Sequence, residues 1–191
     1  MPGNIKDRLF VITGSAGGLG KAFAVKLLEM GGKVCLSDVN REGGEETLRE
    51  LSGSFGGERV AFVSCDVTKE ESVEHLMDEA EKKLGAHVYC LVNNAGVMGE
   101  KEGWRLCMEI NLTGVLHGTT IAMRRMGKDE GGGGGLVVNV ASILGLFCGT
   151  QPKGYQYNTS KSAVVTLSRC IGNKVRICTT MLRLYLCTCT G

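Results

Sequence analysis

Short apolar runs alternate along this chain with amphipathic stretches, and the alternation predicts its architecture. LFVIT (9–13), KVCLSD (33–38), VAFVSCD (60–66), HVYCLVN (87–93) and GLVVNVAS (135–142) are near-continuous apolar runs of strand length. Strands buried on both faces read this way, unlike the in-out alternation of a half-exposed strand. Helical spacing fills the intervals. LGKAFAVKLLEM (19–30) is ended by Gly31-Gly32, and EETLREL (45–51) is entered through Gly43-Gly44. KEESVEHLMDEAEKKL (69–84) has Thr68 as its expected cap and Glu71 to complete a capping box. A long helical stretch runs from about Trp104 to Met126, and YNTSKSAVVTLSRCI (157–171) is helical again. Strands alternating with helices predict a parallel sheet covered on both faces. Right-handed crossovers then give a doubly wound α/β fold of the Rossmann type, in three α/β/α layers. The five glycines at 131–135 are expected at the N-terminal edge of that sheet, as a flexible connection and not a phosphate loop.

Composition narrows the field. A chain of 191 residues with 43% hydrophobic and 22% charged residues is sized and composed for one globular domain. A net charge of +2 gives no electrostatic case for nucleic acid or an acidic membrane surface. The opening MPGNIKDRLFVITG is not patterned as a signal peptide, and no run approaches a membrane-spanning length. The expected location is the cytoplasm. Of nine cysteines, Cys35, Cys65 and Cys90 lie in apolar runs and read as buried free thiols. No CxxC pair occurs, so no metal site is expected; only Cys187 and Cys189 are closely spaced.

The first strand runs straight into TGSAGGLG (13–20), which opens the first helix. That context makes a glycine-rich loop a dinucleotide site. Gly14 permits the tight turn, Gly18 lets backbone approach a pyrophosphate, and Gly20 lets helix pack closely on strand. Helix N-terminal N–H groups and the positive end of the dipole would meet the phosphates. The second strand ends at Asp38, 18 residues beyond Gly20. A carboxylate there accepts the adenosine ribose hydroxyls and repels a 2′-phosphate. With no Lys or Arg inside the loop and Arg41 the nearest cation after Asp38, NAD is favoured over NADP.

These motifs, with others downstream, resemble the short-chain dehydrogenase/reductase family over about residues 5–171. TGSAGGLG matches the family's TGxxxGxG loop, and Cys65-Asp66-Val67 resembles its adenine-contacting end of strand three. Asn93-Asn94-Ala95-Gly96 is similar to its NNAG turn, and Asn111 in EINLTG, Ser142 in VVNVAS and Tyr157-x-x-x-Lys161 complete the set in family order. The resemblance implies Gly14, Gly18, Leu19, Gly20, Asp38, Asp66, Val67, Asn93, Ala95, Gly96, Tyr157 and Lys161 as cofactor-binding residues. Asn93 reads more readily as a structural tie between the turn and neighbouring strands. Several stretches are most similar to the NAD-dependent branch that oxidises hydroxyprostaglandins: NNAGVMGEKEGW, EINLTGVLHGT, the glycine run, and Gln151-Pro152 before the tyrosines.

Two tyrosines compete for the catalytic position. Tyr157 and Lys161 are four apart on a helix and share a face, whereas Tyr155 has Thr159 at that offset. Tyr157 is therefore the candidate base, its phenol made more acidic by the ammonium. The resemblance further implies that Lys161 binds the nicotinamide ribose, Ser142 hydrogen-bonds the substrate oxygen, and Asn111 holds a water that relays protons to Lys161. The reaction implied is oxidation of a secondary alcohol, such as a 15-hydroxyprostaglandin-type lipid hydroxy acid, to a ketone with hydride passing to NAD. Steroids, retinoids and other small alcohols are alternative substrates. His75, His87 and His117 have no partner motif, and Trp104 reads as packing near its helix start.

Beyond Ile171 the chain departs from the family pattern. GNKVRICTTMLRLYLCTCTG (172–191) contains no Pro-Gly turn and no acidic residue. VRICTTMLRLYL (175–186) has the composition of a sixth strand. The stronger expectation is that this atypical tail is read-through past a splice donor, with the nicotinamide-side clamp and substrate lid missing. A dinucleotide-binding domain over residues 1–171 would remain. The chain would then be a weak or inactive isoform, or an interaction partner of the full-length enzyme. The family's usual homodimer, through the helices bearing Asn111 and Tyr157, is doubtful on that view.

Overall fold

The computed structural model describes residues 5–147, 154–174 and 181–187. Six strands form one parallel sheet: β1 (Leu9–Thr13), β2 (Lys33–Asp38), β3 (Val60–Ser64), β4 (Val88–Asn93), β5 (Leu136–Ser142) and β6 (Met181–Cys187). Their order is β3-β2-β1-β4-β5-β6. The order reverses between β1 and β4, so the strand ends leave a crevice where β1 and β4 feed their loops in opposite directions. Val11 pairs with both Cys35 of β2 and Leu91 of β4, which fixes the register at that crevice.

Six helices cover the sheet: α1 (Gly18–Glu29), α2 (Arg41–Phe55), α3 (Glu70–Leu84), α4 (Gly103–Met108), α5 (Gly114–Met126) and α6 (Tyr155–Lys174). One core layer packs Leu76, Met77 and Ala80 of α3 and Ile121 and Ala122 of α5 against Val11, Cys35 and Leu91. The opposite layer packs Ala24 and Leu28 of α1 and Leu51 of α2 against Ile12, Leu36 and Val92. Strands β1 to β5 are thus apolar on both faces because each face meets a helix.

Several local expectations are corrected. Thr68 does not cap α3: its hydroxyl donates to Asp66 Oδ1 at 2.7 Å, and its N–H donates to the same oxygen at 3.1 Å. The helix begins at Glu70 with no side-chain cap, because the Asp66 carboxylate two residues upstream captures Thr68 in a turn of its own. Helix α2 begins at Arg41, ahead of the glycine pair, because the Asn40 side chain accepts from Gly43 N–H as an N-cap. The glycine run is hydrogen-bonded back onto the end of α5, with Gly132 N–H donating to Gly127 O and Gly134 N–H to Met126 O. It does precede β5, as expected for the N-terminal edge of the sheet. Trp104 is 56% exposed, its ring lying 5.2 Å from the Arg105 guanidinium, since Cys107 is the residue α4 buries. Helix α6 runs to Lys174, and residues 181–187 of the tail pair with β5 in parallel, from Leu136↔Met181 to Ser142↔Cys187. Gln151 lies outside the described residues. No helix among the described residues is long and apolar enough to cross a membrane.

Candidate active site

The glycine-rich loop crosses the crevice from β1 to α1. Gly14 adopts φ +65°, and a Cβ there would stand 2.7 Å from Ala95 Cα, so only glycine passes beneath the β4 turn. A Cβ on Gly20 would stand 2.3 Å from the Gly14 carbonyl oxygen. Gly18, at φ +53°, faces open space. Gly17, at the N-cap of α1, makes no side-chain cap to its first turn. Leu19 is 38% exposed beside this opening. The loop is tied to the turn after β4: Asn94 Nδ2 donates to the carbonyls of Thr13 and Gly14, and Thr13 Oγ1 accepts from Asn94 and Ala95 N–H.

Asp38 ends β2 with its carboxylate beside the loop. Oδ2 accepts from Ala16 N–H at 3.0 Å and Oδ1 from Asn40 N–H at 3.0 Å. Asp66 carries the Thr68 turn. Burial raises its pKa, but the two hydrogen bonds from Thr68 and the Lys69 ammonium outweigh that and hold the carboxyl below its usual value. Val67 turns its side chain onto Gly114 of α5 and gives its carbonyl to His117 Nδ1 at 3.1 Å. Asn93 Nδ2 donates to Asn139 Oδ1 at 2.8 Å and Thr119 Oγ1 at 3.3 Å. Of its two readings, the strut between strands describes its side chain.

On the other side of the crevice, β5 and α6 bring Ser142, Tyr157 and Lys161 to one end of the sheet, all buried. Lys161 Nζ lies 5.8 Å from the Tyr157 ring centroid and donates to Val140 O at 2.8 Å. Ser142 Oγ accepts from Leu144 N–H at 3.2 Å. The segment after β5 is pressed onto α6: a Cβ on Gly145 would stand 2.7 Å from the Lys161 backbone, and Ser162 Oγ donates to Gly145 O at 2.8 Å. Tyr155 is 69% exposed and outside this cluster.

Asn111 is fully buried in a π-helical turn (Glu109–Thr113) between α4 and α5. Its Oδ1 accepts from Val97 N–H at 2.8 Å, and Nδ2 donates to Val97 O at 2.8 Å and Ser160 Oγ at 3.0 Å. The side chain is therefore a strut as well as a polar group facing the site. A Cβ on Gly96 would stand 3.2 Å from Asn111 Oδ1 and 3.3 Å from Lys161 Nζ, so both line one gap. Ser160 and Cys107 are further members of the site. Ser160 Oγ donates to Tyr157 O at 2.8 Å, and Cys107 Sγ lies 3.4 Å from Asn111 Nδ2, with burial pushing the thiol pKa up.

Comparison with known proteins shows the family and the fold. Residues 8–180 match the model of the short chain dehydrogenase family. The chain belongs to that family. It is 35% identical over 167 residues to the human 15-hydroxyprostaglandin dehydrogenase [NAD(+)], covering 87% of this chain and 61% of the relative. It is 38% identical over 171 residues to the cis-4-hydroxycyclohexanecarboxylate dehydrogenase of Sinomonas cyclohexanicum, covering 85% of this chain and 65% of the relative. A short-chain dehydrogenase/reductase from Burkholderia phymatum, solved in complex with NAD, superposes with a TM-score of 0.85 at 30% identity, over 97% of this chain and 66% of the other. The chain thus spans about three-fifths of the length of the human relative.

In this member of the short-chain dehydrogenase family the candidate site is only partly legible in the sequence. Tyr157 and Lys161 follow from helical spacing, and Gly14, Gly20 and Asp38 from the strand–loop–helix context. Thr13, Asn94 and Ser160 were missed. The Asn-Asn doublet and the serine preceding Lys161 were visible signals, but their partners lie 80 and 49 residues away.

Proposed function

We propose that this chain is an NAD-dependent dehydrogenase that oxidises a secondary alcohol to a ketone. The observation that carries the reading is the joint burial of Ser142, Tyr157 and Lys161 across the crevice from a glycine cradle that closes on Asp38. The residues fit NAD: Gly14 and Gly20 have no room for a side chain, Gly18 faces open space, and a carboxylate rather than a cation stands at the end of β2. When bound, NAD supplies the hydride acceptor. Tyr157 takes the hydroxyl proton of the substrate, with the Lys161 ammonium stabilising the phenolate. Ser142 orients the substrate oxygen. A water bridging Asn111 and Lys161 at the Gly96 gap carries the proton onward.

The substrate class we infer is an apolar hydroxy acid of the 15-hydroxyprostaglandin type. The likeness to the human enzyme supports this, as do the exposed Met98, Leu146, Phe147 and Tyr155, which all follow the C-terminal ends of β4 and β5. A cytoplasmic setting is supported by the free thiols at Cys35, Cys65, Cys90 and Cys107. A homodimer through α5 and α6 belongs to the same reading. A second reading is a chain that binds the dinucleotide without turning over.

The test is NAD reduction with 15-hydroxyprostaglandins and simple secondary alcohols, comparing wild type with Tyr157→Phe. Loss of the base is expected to lower kcat by about 10²–10⁴-fold with NADH affinity retained. NADH binding without wild-type turnover on any alcohol establishes the second reading. Turnover that survives in Tyr157→Phe excludes Tyr157 as the base.

A further inference from the structure

We infer that Thr47, on the second helix and outside the motifs named above, is a positioning residue for the dinucleotide. Its hydroxyl latches the glycine-rich loop in its binding conformation. The inference rests on the dinucleotide-binding reading above.

The argument starts from the peptide units around Ala16. Both of its backbone polar groups are held by residues remote in sequence: its N–H donates to Asp38 Oδ2 at 3.0 Å, and its carbonyl accepts from Thr47 Oγ1 at 2.9 Å. The preceding residue is held as firmly. Ser15 N–H donates to Ser37 O at 3.0 Å, and Ser37 N–H donates to Ser15 Oγ at 2.8 Å. Two successive loop residues are thus fixed to β2 and α2 immediately before Gly17 and Gly18, where backbone meets the open cradle. Fixing Ala16 at both ends limits the torsions through which Gly17 and Gly18 can re-aim their N–H groups. A glycine pair with no such anchor would lose more conformational entropy on binding than any other residues.

The approach of α2 is itself built for this contact. A Cβ on Gly44 would stand 2.1 Å from Phe62 Cε2, and one on Gly43 would stand 3.4 Å from Ala16 Cβ. Gly44 therefore lets the first turn of α2 settle onto β3, and Gly43 lies in ordinary van der Waals range of the loop at Ala16. Thr47, one turn further on, is 2% exposed. Val is the isostere that keeps its shape and β-branching while removing the hydrogen bond; Ser keeps the bond and loses the methyl.

The experiment uses the whole chain in two states. Without nucleotide, hydrogen exchange of the segment 16–20 is compared in wild type, Thr47→Val and Thr47→Ser. With nucleotide, NADH fluorescence titrations give Kd for the same three proteins. Thr47→Val is expected to speed exchange in that segment while β1 and β4 stay protected, and to weaken NADH by about tenfold, the scale of one lost hydrogen bond. Thr47→Ser is expected to stay within about threefold of wild type, as the retained bond requires. Unchanged exchange in Thr47→Val overturns the latch. Faster exchange with wild-type Kd overturns its role in positioning. If wild type itself does not bind NADH, the cofactor reading falls, and the latch is judged by exchange alone.

Discussion

Gly20 shows how a single position decides between opposing effects. Alanine in a helix is ordinarily favoured over glycine by about 0.8–1 kcal/mol. Here the added methyl would meet the Gly14 carbonyl at 2.3 Å and Ser15 Cα at 2.9 Å, both backbone atoms that cannot swing aside. Overpacking of that kind costs about 1–3 kcal/mol, so Gly20→Ala is expected to be net destabilising and to lower Tm by several degrees. Gly17→Ala is the control, because its φ of −172° is open to any residue and nothing lies within 4 Å of the new methyl. Calorimetry of the two variants checks the contrast; equal melting points would mean the loop relaxes around Gly20. Residues of this kind were legible because close approach demands glycine in a known context. Thr68 was misread for the opposite reason. Its capping pattern is local and correct, but Asp66, only two residues away, offers a charged acceptor that the pattern does not weigh.

At the scale of elements, the first five strands were legible to within a residue or two, since apolar runs buried on both faces have sharp ends. The stretch from about Trp104 to Met126 reads as one helix, and its periodicity conceals the π turn at Glu109–Thr113. One extra residue in a helix leaves composition and capping untouched, so only the packing reveals it. That turn brings Asn111 inward to meet Val97 and Ser160, joining the β4 turn to α6 through one buried amide. Ser160 closes the link by donating to the Tyr157 carbonyl, so the π turn and the tyrosine's own helix share a clamp. Ser160→Ala would leave Asn111 Nδ2 with Val97 O while removing the tie to α6. The expected result is a kcat reduced about 3–20-fold with NADH Kd unchanged, the range of one modest hydrogen bond. A rise in NADH Kd with kcat unchanged would instead assign Ser160 to the cofactor side.

Two of the buried thiols, Cys35 and Cys90, lie in separate core layers, and this couples stability to alkaline pH. Cys35 lies in the layer under α3 and α5, and Cys90 in the layer under α1 and α2. Burial pushes each thiol from the ordinary 9.0 up to about 12. The doubly wound topology was legible as a whole because strand and helix alternate. The partition of cysteines between layers was not, since it depends on which face each strand position turns to a helix. The sign of the linkage follows from proton counts. Between pH 9 and about 12 the unfolded chain has released both protons while the folded chain retains them, so the unfolded state binds fewer and stability falls as pH rises. Below about pH 9 the contribution is fully present. Each thiol steepens the loss by up to about 1.4 kcal/mol per pH unit. Melting wild type and the Cys35→Ala/Cys90→Ala variant between pH 7 and 10.5 reads this directly. The variant is expected to start lower, because two buried sulfurs are lost, but to decline less steeply above pH 9. Parallel curves would show that the thiols ionise in the folded protein as readily as in the unfolded one, and that neither core layer excludes water from its sulfur.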